Sequence, residues 1–216
     1  TTLFRSMNLT ANWDNTVDSF TWSIDGTKIY FIAAVDGTKQ LFEVNFPGKT
    51  KKAVTVVQIT NGDFDINDII GFAKDEIFVT RNDMNHAQEI FSYNVKKKTW
   101  LQLTHVNDAA YATLSLPKYE RRYVTTTDGK KMLVWVILPP NFDKNKKYPT
   151  LLYCQGGPQS PLTQFYSFRW NFSLMASQGY IVVAPNRRGM YGHGREWNEQ
   201  ISKDWGGQVM QDYLSA

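Results

Sequence analysis

Cysteine and histidine are scarce in this chain. A single cysteine, Cys154, cannot close a disulfide within the chain, and the three histidines, His86, His105 and His193, stand far apart with neither HExxH nor CxxC spacing. The usual zinc motifs are therefore excluded, and no metal or other cofactor is expected. Long apolar runs are lacking too. The densest, residues 133–140 and 180–185, fall well short of the roughly 18–20 residues needed to cross a bilayer, so no membrane span is expected. Charge of one sign is also in short supply: 24 Lys+Arg against 20 Asp+Glu leave a net charge of +4, too mild a basic balance to mark a nucleic-acid binder. Finally, no two of the 14 glycines lie four positions apart. A GxSxG nucleophile elbow is therefore absent, and no serine can be grouped with a histidine and an aspartate in the hydrolase order.

What is present describes a folded chain of 216 residues, 42% hydrophobic and 14% aromatic, which rules out general disorder. From Ser19 to about Ala112, short β-branched and aromatic runs alternate with turn signals, among them Asp25-Gly26 and Asp36-Gly37. Asp-Gly between such runs predicts antiparallel hairpins, because the turn needs residues that tolerate positive φ. The segment also repeats. Ile29-Tyr-Phe-Ile matches Ile77-Phe-Val-Thr at an offset of 48, Leu41-Phe-Glu-Val-Asn matches Ile90-Phe-Ser-Tyr-Asn at 49, and Gln58-Ile-Thr matches Gln102-Leu-Thr at 44. A period in the forties with about four strands per unit predicts propeller blades, and this stretch has room for about two.

Around Tyr111 and Pro117 the pattern changes, and we place a domain boundary there, dividing the chain into residues 1–114 and 115–216. A hairpin is predicted over 122–126 and 131–138 about Asp128-Gly129. A short strand at Thr150, a helix over 168–177 and a buried strand at 180–184 then predict the right-handed crossover unit of a parallel sheet. The fold class read from these patterns is thus mixed: β-propeller blades followed by an α/β half. The chain opens at Thr1 without an initiator Met and without the regions of a signal peptide. It stops at Ala216 within a helix starting near Gly207, so both ends are expected to be cut from something longer.

Two glycine-rich loops carry the chemistry. Gln155-Gly156-Gly157-Pro158 leaves the first parallel strand, where α/β hydrolases keep one backbone N–H of the oxyanion hole, and glycine lets the peptide approach the reacting carbonyl without a Cβ in the way. Pro158 has no N–H, so the donor would be Gly157 or Gly156, with Gln155 offering a side-chain amide. An ordinary turn after a strand is the competing reading. The second loop, Arg187-Arg188-Gly189-Met190-Tyr191-Gly192-His193-Gly194, reads GxxGxG with no helix start at once following. A phosphate cradle is therefore less favoured than a structural loop whose arginine ties down carbonyls or a carboxylate, and His193 is read as a surface residue. The lysine groups at 49–52, 96–98 and 144–147 read as solvated turns, and Trp22, Trp100 and Trp135 as strand core rather than base-stacking platforms. The triplets Asn8-Leu9-Thr10 and Asn171-Phe172-Ser173 fit the glycosylation pattern, which says nothing without a compartment.

In order, Tyr123-Val-Thr-Thr-Thr-Asp-Gly, Val136-Ile-Leu-Pro-Pro-Asn-Phe-Asp, Lys147-Tyr-Pro, Gln155-Gly-Gly-Pro-Gln-Ser, Gly179-Tyr-Ile-Val-Val-Ala-Pro-Asn-Arg-Arg-Gly and Asp204-Trp-Gly-Gly resemble the prolyl oligopeptidase family of serine peptidases. The ordered match covers about 95 residues, is most similar to the bacterial dipeptidyl peptidase and acylaminoacyl-peptidase branch, and implies a fold of C-terminal blades of a β-propeller followed by the N-terminal part of an α/β-hydrolase domain. The resemblance implies a serine exopeptidase that removes dipeptides or acylated residues from peptide N-termini, with serine, histidine and aspartate placed beyond Ala216 and the present chain inert alone. It carries over Gly157 and Gly156 as half an oxyanion hole. Relatives commonly have His or Tyr where Gln155 stands, so the backbone role transfers more directly than the side-chain one. The implied partner is a peptide with an accessible N-terminus, with a homodimer of the full-length protein left open and a periplasmic or secreted location favoured over the cytoplasm. A non-catalytic propeller binding module and an esterase of the same fold are the alternatives.

Overall fold

The computed structural model describes residues 7–48 and 54–216. The lysine group at 49–52 and the first residues of the chain lie outside the described residues. Eight strands fill the first half: β1 (Ser19–Trp22), β2 (Lys28–Val35), β3 (Thr38–Asn45), β4 (Val56–Gln58), β5 (Asp65–Ala73), β6 (Glu76–Asn82), β7 (Glu89–Asn94) and β8 (Thr99–Gln102). They form two antiparallel four-stranded meanders, β1 to β4 and β5 to β8, joined by one parallel pair, Lys39 to Asp65. Asp36 (φ 45°) and Gly37 (φ 75°) make the β2–β3 connection with both residues left-handed, as a two-residue hairpin requires.

The sequence repeat is a repeat of hydrogen bonds. In the first meander Leu41 N–H donates to Thr60 Oγ1 (2.9 Å), Ile59 N–H to the Leu41 carbonyl (2.8 Å) and Gln58 Nε2 to the Thr60 carbonyl (2.8 Å). In the second, Ile90 N–H donates to Thr104 Oγ1 (2.8 Å), Leu103 N–H to the Ile90 carbonyl (2.8 Å) and Gln102 Nε2 to the Thr104 carbonyl (2.8 Å). The Gln-x-Thr ending therefore closes each meander by the same device. Alternating residues of facing strands, Tyr30, Ile32 and Leu41 from one meander with Ile66, Ile77 and Val79 from the other, form the core between them. Trp135 is fully buried and Trp100 half-buried, but Trp22 is exposed: β1 has a partner on one side only, and its indole rests edge-on against Phe46.

The second half follows a short helix α1 (Asp108–Tyr111). It contains β9 (Lys118–Thr125), β10 (Lys131–Leu138), β11 (Thr150–Leu152), α2 (Phe172–Ser177), β12 (Ile181–Pro185), α3 (Arg195–Glu199) and α4 (Gln208–Ser215). The sheet order is β11-β12-β10-β9, with β11 and β12 parallel about α2 as the crossover pattern predicts. Strand β10 is buried on both faces, Leu133, Trp135 and Ile137 toward one core and Met132, Val134, Val136 and Leu138 toward another, which is why its sequence is apolar throughout. Helix α2 starts four residues later than expected. The Ser167 hydroxyl accepts the N–H groups of Arg169 and Trp170, holding a turn, and Asn171 then caps the helix by accepting Leu174 N–H at 2.9 Å. Helix α3 follows Gly194 directly, against the expectation that no helix starts there.

The two halves meet through polar contacts. Buried Asp65 accepts Lys39 N–H (2.8 Å) from its own half, and Thr163 Oγ1 (2.5 Å) and Gln164 N–H (3.1 Å) from the other. Arg121 bridges Asp36 (2.8 Å) and Asp63 (2.6 Å), and Asn82 Nδ2 donates to the Gln164 carbonyl (2.7 Å). The Gly37 turn packs directly on Leu133 and Trp135.

Candidate active site

Strand β11 ends at Leu152, and the chain enters the Gln155 to Pro158 loop on the rim of a cleft of about 680 Å³. Its walls come from both halves: Lys39 from β3, Tyr153, Gln155 and Gly156 from the loop, and Phe165, Trp170 and Tyr191 from later connections. Gly156 and Gly157 are exposed, Gly157 at φ 125°. Neither N–H has a hydrogen-bond acceptor among the described residues. A Cβ on Gly156 would meet nothing, whereas one on Gly157 would come within 2.6 Å of Ser160 Oγ.

The loop is held from below by Arg187. Its guanidinium donates to the carbonyls of Pro158 (2.6 Å), Arg188 (2.9 Å) and Gln155 (2.9 Å), and its Nε to the Tyr213 hydroxyl (3.1 Å). Tyr213 in turn donates to the Gln155 carbonyl at 2.9 Å. Three donors thus engage the Gln155 and Pro158 carbonyls, while the Gly156 and Gly157 N–H groups carry no bond among the described residues. The expected carbonyl-tying arginine is Arg187; the carboxylate-tying one is its neighbour. Arg188 is buried against Asp212 (2.8 Å) and Asp128 (2.9 Å). Burial pulls its pKa down, and the hydrogen bonds to Asp128 and Asp212 outweigh that and raise it. Sequence could have flagged Asp128, in an Asp-Gly turn, but not Tyr213 or Asp212, which lie at separations of 26 and 24 residues.

His193 is only partly exposed, not a free surface residue. Its Nε2 is shielded from solvent with no hydrogen-bond partner among the described residues, and burial lowers its pKa to about 4, Asp36 opposing and Arg121 assisting. It stands at the junction of the halves, where the Gly192 carbonyl accepts Asp36 N–H, and not at the Gln155 to Pro158 loop. The other histidines each face an aspartate, His86 on Asp83 (2.8 Å) and His105 on Asp108 (2.7 Å), and neither bonds a serine hydroxyl among the described residues. After the Arg187 to Gly194 loop, the first N–H of α3, on Arg195, is taken by Asp14 at 2.9 Å and is not free for a phosphate.

The prolyl oligopeptidase family model matches residues 166–216. Dipeptidyl-peptidase 5 of Porphyromonas gingivalis is 44% identical over 98% of this chain and 30% of its own length. Dipeptidyl-peptidase 5 of Arthroderma otae is 29% identical over 96% and 28%. Acylaminoacyl peptidase of Pyrococcus horikoshii superposes with a TM-score of 0.77 at 22% identity, covering 95% of this chain and 31% of that one. Oligopeptidase B of Leishmania major gives 0.67 at 14% identity, covering 94% and 29%. The structural likenesses speak to the fold alone, and the chain spans about 30% of the length of the curated relatives it matches. No helix among the described residues is long and apolar enough to cross a membrane. By ordered motifs, family match and relatives together, the chain belongs to the prolyl oligopeptidase family.

Proposed function

We propose that this chain is the part of a serine peptidase in which two propeller blades, within residues 1–114, meet the N-terminal part of an α/β-hydrolase domain, residues 115–216. The four-stranded meanders closed by the same Gln-x-Thr bonds support the blade reading. In the reaction, Gly157 with Gly156 donates backbone N–H groups to the oxyanion formed when a serine elsewhere in the protein attacks the scissile carbonyl. Histidine takes the serine proton and returns it to the leaving amine, and aspartate orients the histidine. The observation that carries this reading is the pair of N–H groups, on Gly156 at the cleft and on Gly157 next to it, that no described residue engages, in a loop clamped by Arg187. Gln155, half-buried with its carbonyl bonded, adds a side-chain amide to the same rim. The substrate is a peptide with an accessible N-terminus, from which dipeptides or acylated residues are released.

The full-length protein should cleave fluorogenic dipeptidyl amides, while the 216-residue chain alone gives no turnover. Gly157→Ala in the full-length enzyme, where the new Cβ meets Ser160 and φ is left-handed, should lower kcat by about 10²–10³ while KM changes little. Turnover by the isolated chain, or full kcat in the variant, sinks the assignment. Faster hydrolysis of short acyl esters than of dipeptidyl amides by the full-length enzyme would favour the esterase reading. No hydrolysis of either would favour a binding module.

A further inference from the structure

Arg81, near the end of β6, places its guanidinium over the rings of Phe64 (4.0 Å), Phe91 (4.7 Å) and Trp100 (5.1 Å). The aromatic rings cover the faces of the planar cation and leave its N–H edge for in-plane partners. Among the described residues it has none: no hydrogen bond and no carboxylate within ion-pair distance. Its nitrogens are not among the solvent-shielded polar atoms that lack a partner, so the donors stay open to the adjoining space. Burial pulls the Arg81 pKa down.

The side chain lines a cavity of about 280 Å³ that also includes Asp83, His86, Glu89, Gln102 and Tyr111, just under the usual size of small-molecule sites. The three acids of the cavity already have partners. Glu89 accepts the N–H groups of Val106 (2.9 Å) and Asn107 (3.3 Å) and the Thr104 hydroxyl. Asp83 accepts the N–H groups of Asn85 (2.8 Å) and His86 (3.0 Å) and pairs with the His86 ring, and Asp108 pairs with His105 at 2.7 Å. Arg81 thus makes no direct ion pair among the described residues, Asp83 acting on it from beyond contact distance.

We propose that this cavity binds a small monocarboxylate, such as the C-terminal end of an amino acid or very short peptide, through bidentate hydrogen bonds to Arg81. A planar carboxylate matches the fork of donors, and because the three carboxylates of the lining, Asp83, Glu89 and Asp108, outnumber Arg81, their net repulsion weighs about twice as heavily on a phosphate dianion as on a monoanion. The site is distinct from the Gly156–Gly157 cleft and does not depend on the peptidase reading.

The test is ¹⁹F NMR of the full-length protein carrying 5-fluorotryptophan, with the Trp100 signal assigned by Trp100→Phe. N-acetylglycine should shift that signal saturably, and N-acetylglycinamide, which differs only in lacking the carboxylate, should bind at least tenfold more weakly. Inorganic phosphate should also bind at least tenfold more weakly, and Arg81→Met should lose at least tenfold in affinity for N-acetylglycine. Equal affinity for acid and amide, tighter binding of phosphate, unchanged affinity in Arg81→Met, or no shift with any probe would overturn the proposal. Should Arg81→Met fail to fold, the acid and amide comparison on the unsubstituted protein decides.

Discussion

Arg187 and Arg188 are neighbours in sequence, yet their guanidinium groups answer different demands. Arg187 directs its donors to the Gln155 and Pro158 carbonyls, and so holds both ends of that loop. Arg188 joins elements instead, its side chain 4% exposed against Asp212, which is fully buried, and Asp128 in the β9–β10 turn. Removing one member of a buried ion pair leaves the other charge without compensation, which typically costs about 3–5 kcal/mol, whereas replacing both with apolar groups is often close to neutral. Arg188→Met should therefore destabilise the full-length protein by about 3–5 kcal/mol in urea unfolding, and Arg188→Met combined with Asp212→Leu by distinctly less. If the two substitutions add, the charges are independent and Arg188 is not the hub that its five bonds to carboxylate oxygens describe.

At the scale of elements, glycines separate local from tertiary demands. Gly37 and Gly129 both occupy turns at positive φ, 75° and 81°. A Cβ on Gly129 would meet open space, but one on Gly37 would run into Leu133 and Trp135 of β10, across the junction between the halves. Gly129→Ala should cost only backbone strain, about 1–2 kcal/mol. Gly37→Ala adds steric overlap of about 1–3 kcal/mol to the same strain. Comparable losses for the two in urea unfolding would mean that the Gly37 contact yields freely. The same contrast explains what was legible in the sequence. The Asp-Gly turns, the Gln-x-Thr endings, the β9–β10 hairpin and the β11–α2–β12 crossover are written in local pattern, because each is set by bonds within a few strands. That Gly156 and Gly157 follow the end of β11 was legible for the same reason. The clamp on that loop, the Asp65 bridge to residues nearly a hundred positions away and the burial of His193 depend on which distant surfaces meet, and no periodicity encodes them. The late start of α2 was missed because a serine-held turn competes with helix over the same apolar spacing.

For the whole molecule, the junction between the halves carries two titrating groups whose effects oppose. Burial raises the Asp65 carboxyl from 3.8 to about 6, against hydrogen bonds from Thr163, Lys39 and Gln164 and the charge of Lys39. Burial lowers His193 from 6.5 to about 4, with Asp36 and Arg121 as the charges it faces. Between pH 4 and 6 native Asp65 keeps a proton that the unfolded chain releases, so its contribution to stability falls as pH rises. Between pH 4 and 6.5 native His193 lacks a proton that the unfolded chain binds, so its contribution rises with pH. At full extent each is worth roughly 3 kcal/mol, and together they nearly cancel. His193→Asn should therefore lose stability relative to the unsubstituted protein as pH rises from 4 to 6.5, and Asp65→Asn should gain. A constant offset from lost hydrogen bonds does not alter either slope. Urea unfolding of the full-length protein and both variants at half-unit intervals of pH checks this, and two difference slopes of the same sign, or of zero, would show that the junction admits water to these groups.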